Sequence, residues 1–343
     1  MNEIHRSRVY PGCYPVILEV DAMIRWWFSM RKAVIVFLLA ICLLAGGCAP
    51  GSGEMSTGPG AGTAAKPLVV ATIFPLADLV RQIGGDKVEV AALLPAGASP
   101  HTFEPTPKEM KAVSRASLFV SVGAGLDVWG QKLLAAAGTG VPALAVTDGL
   151  RLLPLAGRHD RHGEEHEHAG EEGDPHVWLD PVLVRDEIAP RLAGEMSRLW
   201  PAWADYFQEN LHKLQGELSK LDEEFLSSTA GPEKPRFISF HAAWGYLTRR
   251  YGWEEVASVL AYPGQEPSAR WLKELTDLAV REGVKTVIIE PQFNPQPAEL
   301  LAEEIGGRVL ILDPIGGEGV EGRDSYLALM RYNLTVMKEA LEF

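Results

Sequence analysis

Downstream of Pro201 no further proline interrupts the chain until Pro232. In that stretch Trp203, Phe207, Leu211, Leu214, Leu218, Leu221 and Phe225 recur at spacings of three and four. The spacing predicts one amphipathic helix of about 27 residues, roughly 40 Å long at 1.5 Å per residue. That is well beyond the usual helix of a compact domain. A helix of this length needs apolar surface along its whole stripe, and the rest of the sequence supplies it on both sides.

Before the helix, short apolar runs at 68–72, 88–94, 118–122 and 141–146 read as strands, and 76–83 and 107–114 as helices, the first stopped by Gly84-Gly85. A helical stretch over 181–200, broken at Pro190, leads into the long helix. After Gly231-Pro232 the alternation resumes: strands at 236–240, 286–290 and 309–313, helices at 242–251, 269–282, 297–305 and 325–341. Strands alternating with helices imply mostly parallel sheets. The expected fold is α/β, with two lobes over 67–200 and 231–343 joined by one backbone helix over 201–230. Residues 158–173 contain four histidines and five glutamates and no large apolar side chain, so they read as a solvated loop within the first lobe.

The N-terminus stands apart from the fold. Arg31-Lys32, an apolar run over 33–44 and Leu44-Ala45-Gly46-Gly47-Cys48 read as a secretory signal ending on a lipidated cysteine. The apolar run is too short to span a bilayer. Met30 is the expected true start, so residues 1–29 are a mis-assigned prefix and residues 1–47 are absent from the mature protein. Residues 48–66 then comprise the lipidated Cys48 and a flexible tether rich in Gly, Ser, Pro and Ala. The cysteines are Cys13, Cys42 and Cys48, so the mature chain keeps one, its sulfur occupied. No disulfide framework or thiolate metal site is then available, and any metal must be held by imidazoles and carboxylates. The net charge of −13, with 45 acidic against 32 basic residues, argues against a nucleic-acid binder.

Three histidines lie in distinctive surroundings. His101 sits in Ser99-Pro100-His101-Thr102-Phe103-Glu104-Pro105, just beyond a strand. His176 sits in Asp174-Pro175-His176-Val177-Trp178-Leu179-Asp180. His241 follows the strand ending at Phe240 and opens the next helix. In open α/β sheets, ligands bind beyond the carboxyl ends of the strands. A site drawing on both halves lies in the cleft between them.

These segments, with EPSARWLKEL, EPQFNPQPAELLAEEIGG, LDPIG and DSYLALMRYNL in the same order, resemble the solute-binding proteins of metal-ion ABC importers, and within them the zinc-binding branch. The resemblance runs from about Pro67 to the C-terminus. It implies two α/β lobes joined by a rigid helix, and a metal held by His101 and His176 from one side and His241 and Asp313 from the other. It also implies delivery of the ion to an ABC permease; with Cys48 lipidated, a monomer anchored outside the cytoplasmic membrane is expected. The acidic, His-rich loop before His176 is a further feature of zinc members.

Three imidazoles and a carboxylate suit Zn2+, which takes N and O ligands tetrahedrally; Mn2+ favours more carboxylate. Manganese-type relatives carry Glu at the third position, where this chain has His241, so zinc is expected and manganese is the alternative. The other alternative is a three-histidine zinc hydrolase. Neither His-Glu-x-x-His nor Gly-x-Ser-x-Gly occurs, and an Asp313 that closes the shell leaves no water to activate, so no enzyme is expected. Glu290 is either a hydrogen-bond partner of a ligand histidine or purely structural. His212 reads as solvated, and Trp178, Trp244 and Trp271 as packing. The acidic loop either gathers metal weakly or is only a solvated surface. If the three imidazoles titrate near 6.5, affinity falls steeply below about pH 6, towards three protons per metal.

Overall fold

The computed structural model describes residues 65–138, 140–154, 173–231, 234–260, 264 and 266–341. The leader, Cys48, nearly all of the tether and the acidic loop lie outside the described residues.

Two four-stranded, fully parallel sheets organise the chain. The first contains β1 (Leu68–Ala71), β2 (Glu89–Ala92), β3 (Leu118–Ser121) and β4 (Ala143–Ala145) in the order β2-β1-β3-β4. The second contains β5 (Arg236–Ser239), β6 (Glu254–Ser258), β7 (Thr286–Ile289) and β8 (Arg308–Ile311) in the order β6-β5-β7-β8. The two orders are the same, so each sheet has a switch point beside its first strand. There the chain leaves to one side and returns on the other, opening a crevice at the carboxyl ends. The central strands are buried on both faces, as their continuous Val, Ile and Phe runs require.

The helices of the first half are α1 (Phe74–Gly84), α2 (Pro107–Val113), α3 (Val128–Ala137) and α4 over residues 181–199. The long helix, α5, spans Ala204–Ser228. Beyond it come α6 (Gly245–Tyr251), α7 (Ala269–Glu282), α8 (Gln296–Glu304) and α9 (Tyr326–Ala340). On α5, Phe207, Leu211, Leu214, Leu218, Leu221 and Phe225 are all buried, each contributing about 1.5–3 kcal/mol by leaving water. They belong to one core with α1, α4 and α9 and with Phe237, Trp244 and Ile288 of the second half. Phe225 stacks on Tyr251, ring centres 4.6 Å apart.

Two expectations need correction. The break at Pro190 is absent. Residues 181–199 continue as one helix because a π turn over Val184–Ile188 precedes the proline, with the Ala189 N–H bonded to the carbonyl of Val184. The widened turn shifts the ladder by one residue where proline donates nothing. The helix expected at 242 starts only at Gly245, so His241 stands in a bend between strand and helix. Two elements passed unread, α3 and β6. Gly130 weakens the signal of α3, yet a Cβ there would lie 2.9 Å from Thr72 Cγ2, so the helix sits closely on the sheet through it. β6 is an edge strand opening Glu254-Glu255, the charged pattern that blunts an edge.

Several hydrogen bonds tie the halves near the crevice. Tyr246 Oη donates to the Asp174 carbonyl at 2.9 Å and accepts from the Leu153 N–H at 3.0 Å. Trp178 Nε1 donates to the Pro314 carbonyl, and Tyr326 Oη to the Trp178 carbonyl, both at 2.7 Å.

Candidate metal site

The segment carrying His101 leaves the carboxyl end of β2 and is held by α3. Trp129 Nε1 donates to the Pro100 carbonyl at 2.8 Å, and Phe103 packs edge-on against the Trp129 indole. Downstream it ends in a capping box, Thr106 with Glu109, which starts α2 at Pro107. His101 is thus fixed on both sides although it lies in a loop.

His176 is placed by the residue two before it. Asp174 Oδ1 accepts from the His176 backbone N–H at 3.0 Å and lies 2.7 Å from Nδ1. The carboxylate therefore keeps the ring proton on Nδ1 and turns the Nε2 lone pair towards the crevice. Both residues are buried. His241, also buried, follows β5; its Nδ1 is 3.5 Å from Glu290 Oε1 at the end of the neighbouring strand β7. Neither Glu290 oxygen nor His241 Nδ1 makes a close hydrogen bond among the described residues. A buried carboxylate facing a ring nitrogen at that distance is one small movement from the bond Asp174 already makes. Glu290 therefore faces His241; Trp178 and Trp244 are fully buried in the core and Trp271 packs against the core of the second half, as expected.

The three histidines converge. His101 and His176 rings lie 5.4 Å apart, His101 and His241 4.9 Å, and His176 and His241 5.0 Å. One nitrogen from each ring joins a group whose atoms all lie within 4.8 Å of one another. The Nε2 atoms of His101 and His176 are 3.3 Å apart. Two nitrogens at about 2.05 Å from a tetrahedral ion stand about 3.3 Å apart, so this spacing matches one edge of a zinc tetrahedron.

The group is neutral in its resting state. Burial, reinforced by His176 and His241, holds His101 down at about 2. Burial holds His241 at about 4, against the pull of Asp174. Burial also lowers His176, outweighing Asp174 beside it. The free nitrogens therefore present lone pairs well into the acid range. Burial pushes Glu290 far above the usual carboxylate range, despite the donors near it.

Asp313 is not brought into this group. It follows β8, but its Oδ1 accepts from the backbone N–H groups of Ile315 and Gly316, both at 2.9 Å, and its Oδ2 from Arg323 Nη1 at 2.9 Å. The turn-forming role open to an Asp-Pro pair after a strand is thus real. His212 is exposed on α5, as expected. Asp174, which orients His176, was not singled out beforehand, although an acid two residues before that histidine was a visible signal.

Three imidazoles converging at the carboxyl ends of two parallel α/β halves joined by a long helix define a metal-binding protein of the two-lobed solute-binding class. The family model of the zinc-uptake complex component A periplasmic, ZnuA, matches residues 69–340, and the chain belongs to this family. It is 32% identical over 321 residues to the high-affinity zinc uptake system protein ZnuA of Bacillus subtilis, covering 89% of this chain and 97% of that one. It is 29% identical over 282 residues to the zinc-binding lipoprotein AdcA of Streptococcus pneumoniae, covering 80% of this chain and 56% of the relative, so it spans about half of that longer protein. A crystal structure of a ZnuA deletion mutant with zinc bound superposes with a TM-score of 0.70 at 30% identity, over 81% of this chain and 98% of that one.

Proposed function

We propose that the protein captures Zn2+ outside the cytoplasmic membrane through His101, His176 and His241 and delivers it to an ABC import permease. In this reading Asp313 is the fourth ligand, the lobes are 67–200 and 231–343, and 201–230 joins them in a monomer. The convergence of three imidazoles, two of them at the spacing of a tetrahedral edge, is the observation that carries it. The ion is cargo, so binding has to be tight yet reversible. Nitrogen-rich coordination favours Zn2+ over Mn2+, whose preference is for oxygen. The names of the relatives, a zinc uptake protein and a zinc-binding lipoprotein, agree with this choice. The family is one of zinc uptake rather than hydrolysis, and a shell closed by Asp313 leaves no position for an activated water, which argues for a binder.

The test is elemental analysis of protein purified without added metal, followed by chelator-competition titration with Zn2+ and Mn2+. One equivalent of zinc, and an affinity for Zn2+ at least about a hundredfold above that for Mn2+, is expected for an N3O shell. Manganese in the native protein would replace the zinc reading by the manganese one.

The anchor follows from the N-terminal sequence. No helix among the described residues is long and apolar enough to cross a membrane, and a relative is a lipoprotein by name. Cys48→Ala is therefore expected to move the protein from the membrane fraction to the soluble extracytoplasmic fraction. Retention of the variant in membranes would rule out Cys48 as the anchor.

A further inference from the structure

The environment of Asp313 is more elaborate than a turn requires. Asn333, buried on α9, clamps the Asp313 main chain on both sides: its Oδ1 accepts the Asp313 N–H at 2.9 Å and its Nδ2 donates to the Asp313 carbonyl at 2.7 Å. The carboxylate is then bonded by two backbone donors and by Arg323. Oδ2, the oxygen not held by the turn, is taken up by the charge-assisted bond to the guanidinium.

Arg323 is as firmly placed as its partner. Its N–H donates to the Val320 carbonyl at 2.9 Å, and its carbonyl accepts from Gly317 N–H at 3.2 Å. Gly316 has φ +64°, and a Cβ there would lie 2.6 Å from the Arg323 carbonyl oxygen, so the turn that presents Arg323 needs glycine at 316. The guanidinium lies over the Tyr332 ring, 4.8 Å from its centre. This loop also borders the crevice: a Cβ on Gly317 would come 2.5 Å from Ala96 Cβ, on the segment that leads to His101.

We propose that Arg323 tunes the affinity and metal preference of the site by competing with the bound ion for the Asp313 carboxylate. The inference rests on the three imidazoles being ligands. An ion held by His101, His176 and His241 recruits Asp313 only as Oδ2 leaves Arg323. Part of the interaction between ion and carboxylate is thereby spent on breaking the pair. This keeps a buried divalent site from becoming too tight to release its cargo, and it disfavours ions that depend most on oxygen, Mn2+ above all.

The experiment is a double-mutant cycle of Arg323→Met and Asp313→Asn on the full chain, read by chelator-competition titration with Zn2+ and with Mn2+. Arg323→Met is expected to tighten binding on the order of tenfold or more, the scale of one charge-assisted hydrogen bond, with the larger gain for Mn2+. Asp313→Asn in the same chain is expected to remove that gain. In the Arg323→Met background the visible spectrum of bound Co2+ should change when Asp313 is replaced, because an oxygen ligand is lost. Arg323→Gln and Arg323→Lys keep a polar head group and serve if the Met variant does not fold. Lys, which keeps the charge without the planar fork, should fall between wild type and Gln. Unchanged or weaker binding in the Arg323 variants overturns the proposal. So does a gain that survives Asp313→Asn, which would reflect the lost positive charge alone. Failure of the underlying site is a separate result, since His176→Ala would then leave tight binding intact.

Discussion

Replacing any one of His101, His176 and His241 by alanine is expected to weaken zinc binding by roughly two to three orders of magnitude. Structural zinc sites with four protein ligands bind with about 10–16 kcal/mol, or about 3 kcal/mol per ligand, and each 1.4 kcal/mol is a factor of ten. The losses should be graded. His176 is oriented by Asp174 at 2.7 Å and His101 is fixed only through its loop. His176→Ala should therefore cost the most, because it removes a pre-oriented ligand and leaves the buried Asp174 carboxylate facing a void. Asp174→Asn keeps every ligand but replaces the carboxylate by a neutral amide whose NH2 can face Nδ1 and favour the other tautomer; it should cost about ten- to a hundredfold. Deleting residues 158–173 should leave this tight site nearly intact and change only weak additional binding. Chelator competition on purified protein reads all of these. Tight binding in the three alanine variants combined with its loss in the loop deletion would place the site elsewhere.

The site was partly legible before the fold. His101 and His241 stood out because each follows a predicted strand, the position in a parallel sheet where ligands meet, and His176 because it sits between two Asp-Pro pairs. The two sheets were legible from continuous apolar runs such as Val287-Ile288-Ile289. β6 was not, because an edge strand beginning with two glutamates has no apolar run to read. The π turn before Pro190 was not, because sequence shows the missing donor but not the local widening that absorbs it. Arg323 had no signal at all: its partner is ten residues away, and the pairing depends on Gly316 and Asn333 holding a loop and a helix against each other. Long-range side-chain pairings of that kind are invisible to periodicity.

The same burial that assembles the site changes how it responds to acid, and the expected result differs from that of three ordinary imidazoles. With free histidines titrating near 6.5, binding at pH 6 would displace up to three protons per ion. Here burial keeps His241 neutral down to about 4, His101 to about 2, and lowers His176 as well. The imidazoles therefore release almost no protons on binding between pH 5 and 8. Glu290, which burial keeps protonated far above the usual range, faces His241 and is the group an arriving cation would ionise first. At most about one proton per ion is then expected at pH 6, and the affinity of the folded protein should fall by at most about tenfold per pH unit. Acid acts instead on the fold. A histidine whose folded pKa is depressed stabilises the protein above its unfolded value of about 6.5, and that stability is lost as pH falls, because the unfolded chain takes up the proton and the folded chain does not. Each such histidine costs about 1.4 kcal/mol per pH unit between about 6 and its folded value. Buried Glu290 and Glu255, the latter pushed up to about 8 by burial, have the opposite sign: their raised folded values favour the fold at low pH, and that contribution is lost as pH rises through them. The metal-free protein should thus be most stable near pH 6, lose stability slowly from there towards about 4.5 and about twice as fast above about 6.5, and fall away steeply below about 4.5, where the glutamates no longer offset the histidines. Calorimetric titration at pH 6 in buffers of different ionisation enthalpy counts the protons, and urea melts of the metal-free protein between pH 4 and 8 give the stability profile. Glu290→Gln should bring the proton count close to zero. A count near three in the wild type would mean that the imidazoles are charged in the free protein, and that acid releases the ion by protonating its ligands rather than by loosening the fold around them.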